Sequence, residues 1–375
     1  MFIAALLAAC GGPTRTGKKV VATPKLEAVK RSALREFDGG LRALRLGGPE
    51  ADEQALGRFK AAVQNDPTLW EASHDLGVVL GRLGDDPGAV AAFDAALRVN
   101  PAHTPSVLAR AEAMRRLRRT GEAKKGYEEA LARDPDDAVT RVRLASLLRE
   151  AGDTAGALDA LRAALRIRPS DARIYVELGL LYLAADRDEL AELVLGKATQ
   201  LDPKDPLALN ALAMVSLKRG NDQQAFERFD AASALDPEYS DARFNKAGVL
   251  LDAGDYTRAK TELELVVSQR EKALQAAGDT GGGDVGDLLD AKVALGVAYR
   301  GLGEYDRAAV EWKRVLESAP RQPDALYNLA VLSMDFKRDE AQAKDLLARY
   351  LQVAPESHAR RKDAEVRMRD LGGAK

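Results

Sequence analysis

The 375-residue chain has one cysteine and three histidines, and each scarcity removes a class of chemistry. A single thiol excludes an internal disulfide framework and every zinc set built on paired cysteines. His74, His103 and His358 are scattered, with no HExxH and no metal-ligand spacing, so they are expected as surface or groove residues. Charge of one sign is also missing: 56 Lys and Arg face 58 Asp and Glu, a net charge of −2. With no basic excess to neutralise phosphates, nucleic acid is not an expected partner. Beyond residue 10 no apolar run approaches the roughly 18 residues that cross a bilayer. No GxSxG elbow, Walker sequence or dinucleotide fingerprint occurs, so no catalytic residue, cofactor, metal or small-molecule substrate is expected.

What is present begins at the N-terminus. Phe2 to Ala9 is an apolar run the size of a signal-peptide core, and Cys10 follows at once. Leu7-Ala8-Ala9-Cys10 resembles the lipobox of bacterial lipoproteins. The resemblance implies cleavage before Cys10 and lipidation of its thiol, whose acyl chains, at about 0.8 kcal/mol per buried CH2, hold a body at a membrane. Gly11 stands where that family carries an inner-membrane retention Asp, which implies the outer membrane, periplasmic face. No Lys or Arg precedes the apolar run, which points to a start upstream of Met1. Residues 1–9 are thus expected as signal peptide and 10–23, without hydrophobic period, as lipidated cysteine and tether.

The rest of the chain is periodic. Prolines recur every 34 residues at 67, 101, 135, 169, 203 and 237, closing segments such as "AALRVNP", "EALARDP" and "KATQLDP". Repeats of about 20–50 residues indicate a solenoid. Within each unit apolar residues at i, i+3, i+4 and i+7 flank a polar turn, the signature of two amphipathic helices. Leu76-Gly77, Leu80, Gly84, Ala89, Phe93, Ala96 and Pro101 in the second unit, and Leu295-Gly296, Tyr299, Gly303, Ala308, Trp312 and Pro320 in the eighth, resemble the tetratricopeptide (TPR) repeat. The fold expected is all-α, a right-handed TPR solenoid of about nine helix pairs from near Glu36 to Ser357, with a helix ahead of it and a C-terminal capping helix in 358–375. Ala55, Ala89, Ala123, Ala157, Ala191, Ala225, Ala259 and Ala308 share one slot, where a larger side chain would overpack the helix crossing by roughly 1–3 kcal/mol. The boundaries are 24–277 for repeats one to seven, 278–288 for a Gly-rich linker and 289–357 for repeats eight and nine. The linker's Asp279, Asp284 and Asp287 lack P-loop or EF-hand spacing.

In TPR proteins the first helix of each pair lines a concave groove that takes up a partner segment. The family register places Val176, Leu180, Leu183, Asn210, Met214, Leu217, Phe244, Leu251, Val293, Val297, Tyr327, Val331 and Met334 along it. So long an apolar face calls for a protein partner, and Asn210 is placed to pair with that partner's backbone. Asn245 and Asn328 fit one position of the pattern by which some TPR domains clamp a C-terminal carboxylate, but the lysines of that pattern are missing. Arg115, Arg116, Arg118, Arg119 and Arg149 form a candidate basic patch for an acidic segment or anionic headgroups. The architecture as a whole resembles the TPR lipoproteins of the myxobacterial gliding machinery, which implies protein partners in the cell envelope and a lipid-anchored scaffold role. Pilotin-like and polysaccharide-export or outer-membrane assembly lipoproteins are the alternatives.

Overall fold

The computed structural model describes residues 29–48, 50–277 and 285–373. Cys10, the signal segment and the tether lie outside them, as does 278–284 of the Gly-rich stretch.

Nineteen helices, and no strand among the described residues, form nine antiparallel pairs and a final single helix. The first pairs are α1 (Arg31–Leu46) with α2 (Ala51–Asn65), α3 (Trp70–Arg82) with α4 (Asp86–Val99), and α5 (Thr104–Arg116) with α6 (Thr120–Arg133). Then come α7 (Ala138–Glu150) with α8 (Thr154–Ile167), α9 (Ala172–Ala184) with α10 (Asp188–Leu201), and α11 (Pro206–Lys218) with α12 (Asp222–Leu235). The last are α13 (Ser240–Asp252) with the long α14 (Tyr256–Ala277), α15 (Val285–Gly301) with α16 (Tyr305–Ser318), and α17 (Pro323–Asp335) with α18 (Glu340–Val353), followed by α19 (Arg361–Gly373). The first described helix, α1, begins at Arg31, ahead of Glu36, and is already paired with α2. Residues 285–288, expected as linker, are helical, because Leu288 is buried on the core side of α15.

Short-range chemistry sets the boundaries. Each periodic proline lies two residues past a second helix, where its missing N–H breaks no helical hydrogen bond. Asp137, Asp171 and Asp205 cap the first helices that follow three of them, accepting from backbone N–H groups of the opening turn. The turn inside each pair needs a left-handed residue, and Gly84, Gly152, Gly220, Gly254 and Gly303 supply it. Arg118 (φ 58°) and Asp186 (φ 52°) occupy the same place in their repeats, where a Cβ is strained. Replacing Arg118 with Gly is expected to stabilise the chain by about 0.5 kcal/mol, relief of strain outweighing the entropy of an added glycine. Urea denaturation gives the sign, and a destabilised Arg118→Gly would refute the strain argument.

Packing then follows from size. All eight slot alanines are fully buried. A second slot pairs a glycine on the first helix with a bulky side chain on the second: a Cβ on Gly77, Gly179 or Gly296 would stand 2.6, 2.3 or 2.3 Å from Phe93, Leu195 or Trp312. First helices of neighbouring units also touch, α7 with α9, α9 with α11, α13 with α15 and α15 with α17, so the odd-numbered helices form the tighter inner layer. Their free stripes line the concave face. At the C-terminal end α19 docks on α18 with Ala364 fully buried.

Candidate partner-docking groove

Two clefts open on the inner layer. The first, about 540 Å3, is walled by α3 (His74, Gly77, Val78, Gly81) and α5 (Pro105, Leu108, Ala109, Glu112), a helical stripe of identical spacing from each. The second, about 520 Å3, lies between α13, α15, α17 and Arg360 just ahead of α19, floored by Phe244, Leu251, Val293 and Val297.

The groove residues read from sequence divide into two sets. Phe244, Leu251, Val293 and Val297 meet in the second cleft, and Met214 and Leu217, each 40% exposed, present themselves to solvent on α11. Val176, Leu183 and Val331 are buried in the packing between repeats, Leu180 is half-buried against it, and Tyr327 is buried with its hydroxyl donating to Asp363. These belong to the core because groove and core positions adjoin on a helix turning about 100° per residue. Asn210 is not open to a partner's backbone: it is 5% exposed, its Nδ2 donates to the Tyr239 hydroxyl (3.0 Å) and its Oδ1 accepts from Asn245 Nδ2 (3.0 Å). The two bonds tie α11 to the next first helix, α13, at its N-cap residue and within its first turns.

Nor do the arginines make an open basic patch. Arg115 pairs with Glu112 (3.1 Å) and Glu150 (3.3 Å), Arg116 binds Asp86 through two nitrogens, Arg119 pairs with Glu122 (2.6 Å) and Arg149 with Glu177 (3.1 Å). Arg118 sits in the strained turn described above. Their charge is spent within the chain, mostly across repeat boundaries.

Composition gave no sign of a histidine pair at the first cleft. Ser106, fully buried, bridges His74 Nδ1 (2.9 Å) and His103 Nδ1 (2.7 Å), and the Ser106 backbone N–H donates to His103 Nδ1. That donor fixes His103 Nδ1 as an acceptor, so the serine hydroxyl donates to it and accepts from His74 Nδ1–H. Burial, and secondarily the His103 charge, holds His74 down at about 4, and burial lowers His103 as well. The unfolded chain therefore binds more protons than the native one between the ordinary histidine range and pH 4. The stability tied to His74 is complete above pH 6.5 and drains away as pH falls toward 4. Discounted for partial exposure, the loss from pH 7 to pH 5 is about 1 kcal/mol. Urea midpoints at the two pH values should show it in the wild type and shrink it in His74→Phe; an equal slope in both would rule out this cluster.

Among the described residues no group of His, Cys, Asp and Glu is arranged to hold a metal, and no helix is long and apolar enough to cross a membrane. A curved inner layer of helices with shallow clefts defines a helical-repeat scaffold that binds protein segments. The sequence comparisons narrow the class: tetratricopeptide repeat profiles match residues 37–105, 108–172 and 293–358, and a second such profile matches 148–215 and 216–278. The chain belongs to the tetratricopeptide repeat family, a family of protein–protein interaction scaffolds. Comparison with curated proteins yields no match. Among solved structures it is similar to a chain of the APC/C hetero-tetramer Cut9–Hcn1 (15% identity, 90% of this chain and 66% of that one, TM-score 0.62). It is also similar to PilF of Pseudomonas aeruginosa (19% identity, 65% of this chain and 100% of that one, TM-score 0.51). The chain thus spans 66% of the length of the first, and both likenesses concern the fold.

Proposed function

We propose that the protein is a lipid-anchored scaffold at the periplasmic face of the outer membrane, docking envelope proteins in its concave groove as a component of a gliding-motility complex. The observation that carries the anchoring is Leu7-Ala8-Ala9-Cys10, with Gly11 after it and a tether of 13 or so residues before the first repeat. Two acyl signals or more make membrane attachment stable, so the solenoid needs no apolar surface of its own for the purpose. The gliding reading is supported by the combination of nine repeats with that N-terminus.

Metabolic labelling with a palmitate analogue tests the anchor: label should enter the wild type and not Cys10→Ala, which should move to the soluble fraction. Label retained in the variant overturns it. A mild-detergent pull-down from the native envelope, with partners identified by mass spectrometry, tests the rest. Gliding-complex proteins recovered with the wild type and lost with Phe244→Ala/Met214→Ala support the groove and the process together. Recovery of a pilus or secretion pore replaces the gliding reading with a pilotin-like one.

A further inference from the structure

The second cleft carries an ordered arrangement of charge. On α15 the residues facing it are Asp290, Val293, Ala294, Val297 and Arg300, one stripe with an acid at one end, an apolar middle and a cation at the other. Ten residues of helix set Asp290 and Arg300 about 15 Å apart along the axis. Each end has a second charge of its own sign beside it, and Asp252 at the end of α13 lines the cleft as well. Asp324 of α17 joins Asp290, and Arg360 joins Arg300, all four lining the same cleft.

Like charges gathered at both ends of one cleft repel in the free protein, and the structure supplies little to offset them. Among the described residues neither Asp290 nor the Arg300 guanidinium has an ion-pair partner within 4.0 Å, while Asp324 reaches only His358 at 3.7 Å. Burial, then the neighbouring Asp287 and Asp324 carboxylates, raises Asp290 above the usual carboxylate range, with Gln322 and Arg270 opposing. Burial and the Arg360 charge lower Arg300. A separate observation points to a ligand: Asn328, 6% exposed, lines the cleft and makes no hydrogen bond among the described residues. Its amide donor and acceptor are thus open to the cleft, where a docked segment's backbone can pair with them.

We propose that this cleft binds an extended partner segment that is itself dipolar: a Lys or Arg over Asp290 and Asp324, apolar side chains on Phe244, Val293 and Val297, and a carboxylate on Arg300 and Arg360. At a rise of about 3.3 Å per residue the two charges stand four or five residues apart in the segment. The Asn328 amide meets the segment's backbone between them. This rests on the groove-docking reading above and specifies its partner.

The test uses fluorescein-labelled peptides and the full chain in anisotropy titrations. The probe is Gly-Lys-Leu-Val-Ala-Glu-Gly with both termini blocked, alongside versions with Gln for Lys, Gln for Glu, and Gln for both. Neutralising either charge is expected to weaken binding about tenfold. Asp290→Asn should erase the preference for Lys and leave that for Glu, and Arg300→Gln should do the converse, with circular dichroism unchanged in both. If all four peptides bind alike, the charge assignment is wrong while groove docking stands, since the Phe244→Ala/Met214→Ala pull-down tests that separately. No binding by any peptide overturns the assignment as well.

Discussion

Truncating Trp312 to alanine is expected to cost about 4 kcal/mol, within the range for emptying a buried aromatic site. The side chain is fully buried on α16 and fills the space left open by Gly296 on α15. Its Nε1 donates to the Val293 carbonyl (3.0 Å), so the truncation leaves a cavity and removes a buried hydrogen bond together. In a solenoid each repeat is held mainly by its two neighbours, so the damage stays local and weakens one link of the array. Repeats eight and nine with α19 should then unfold before the rest. Only Trp70, in the second repeat, remains to fluoresce in the variant. In urea its transition should come later than the far-UV circular dichroism transition, whereas the two coincide when the chain unfolds as one unit. Coincident transitions in Trp312→Ala would show that the repeats are coupled more strongly than this packing implies. Because the second cleft is built on α15 and α17, the variant should lose peptide binding at urea concentrations where its N-terminal half is intact.

The same example shows why the fold was legible in the sequence. Gly296 and Trp312 stand sixteen residues apart, as do Gly77 with Phe93 and Gly179 with Leu195, so one spacing encodes the crossing of the two helices in each unit. Proline, slot alanine and turn glycine repeat with the same period, and backbone chemistry gives each a single place to go. The groove was harder to read. Val331 and Val297 are both apolar residues of a first helix, yet one is buried between repeats and the other lines the cleft, a difference of about one residue in helical phase. Charges were misread for another reason. Arg116 finds Asp86, Arg149 finds Glu177 and Arg115 finds Glu150, each about one repeat away in sequence. A run of arginines looks unpaired when scanned locally and is paired once the repeat period is applied. That period was available in the prolines.

Lys246 is the residue where this long-range pairing matters most. Its side chain is 6% exposed on α13, with Glu262 of α14 at 2.7 Å and Asp230 of α12 at 3.1 Å, sixteen residues to either side. Glu262 also holds Arg243 at 2.9 Å. Glu262→Gln therefore leaves two largely buried cations sharing one neutral amide, with Asp230, 59% exposed, as the remaining counter-charge. The expected loss is about 3 kcal/mol, the lower part of the range for breaking a buried pair from one side. Lys246→Met should cost less than about 1 kcal/mol, since it removes the buried charge itself, keeps the length of the stem and leaves Glu262 paired with Arg243. Combining the two substitutions should cost clearly less than their sum, because most of the Glu262→Gln penalty belongs to an ammonium no longer present. Urea denaturation of the four proteins measures all three quantities. Equal losses for Glu262→Gln and Lys246→Met, with simple additivity, would mean that the pair contributes as an ordinary surface bridge. The predicted asymmetry instead places the cost in the burial of the cation, so the salt bridge chiefly offsets a penalty that the fold incurs by carrying a lysine between its seventh repeat and the one before.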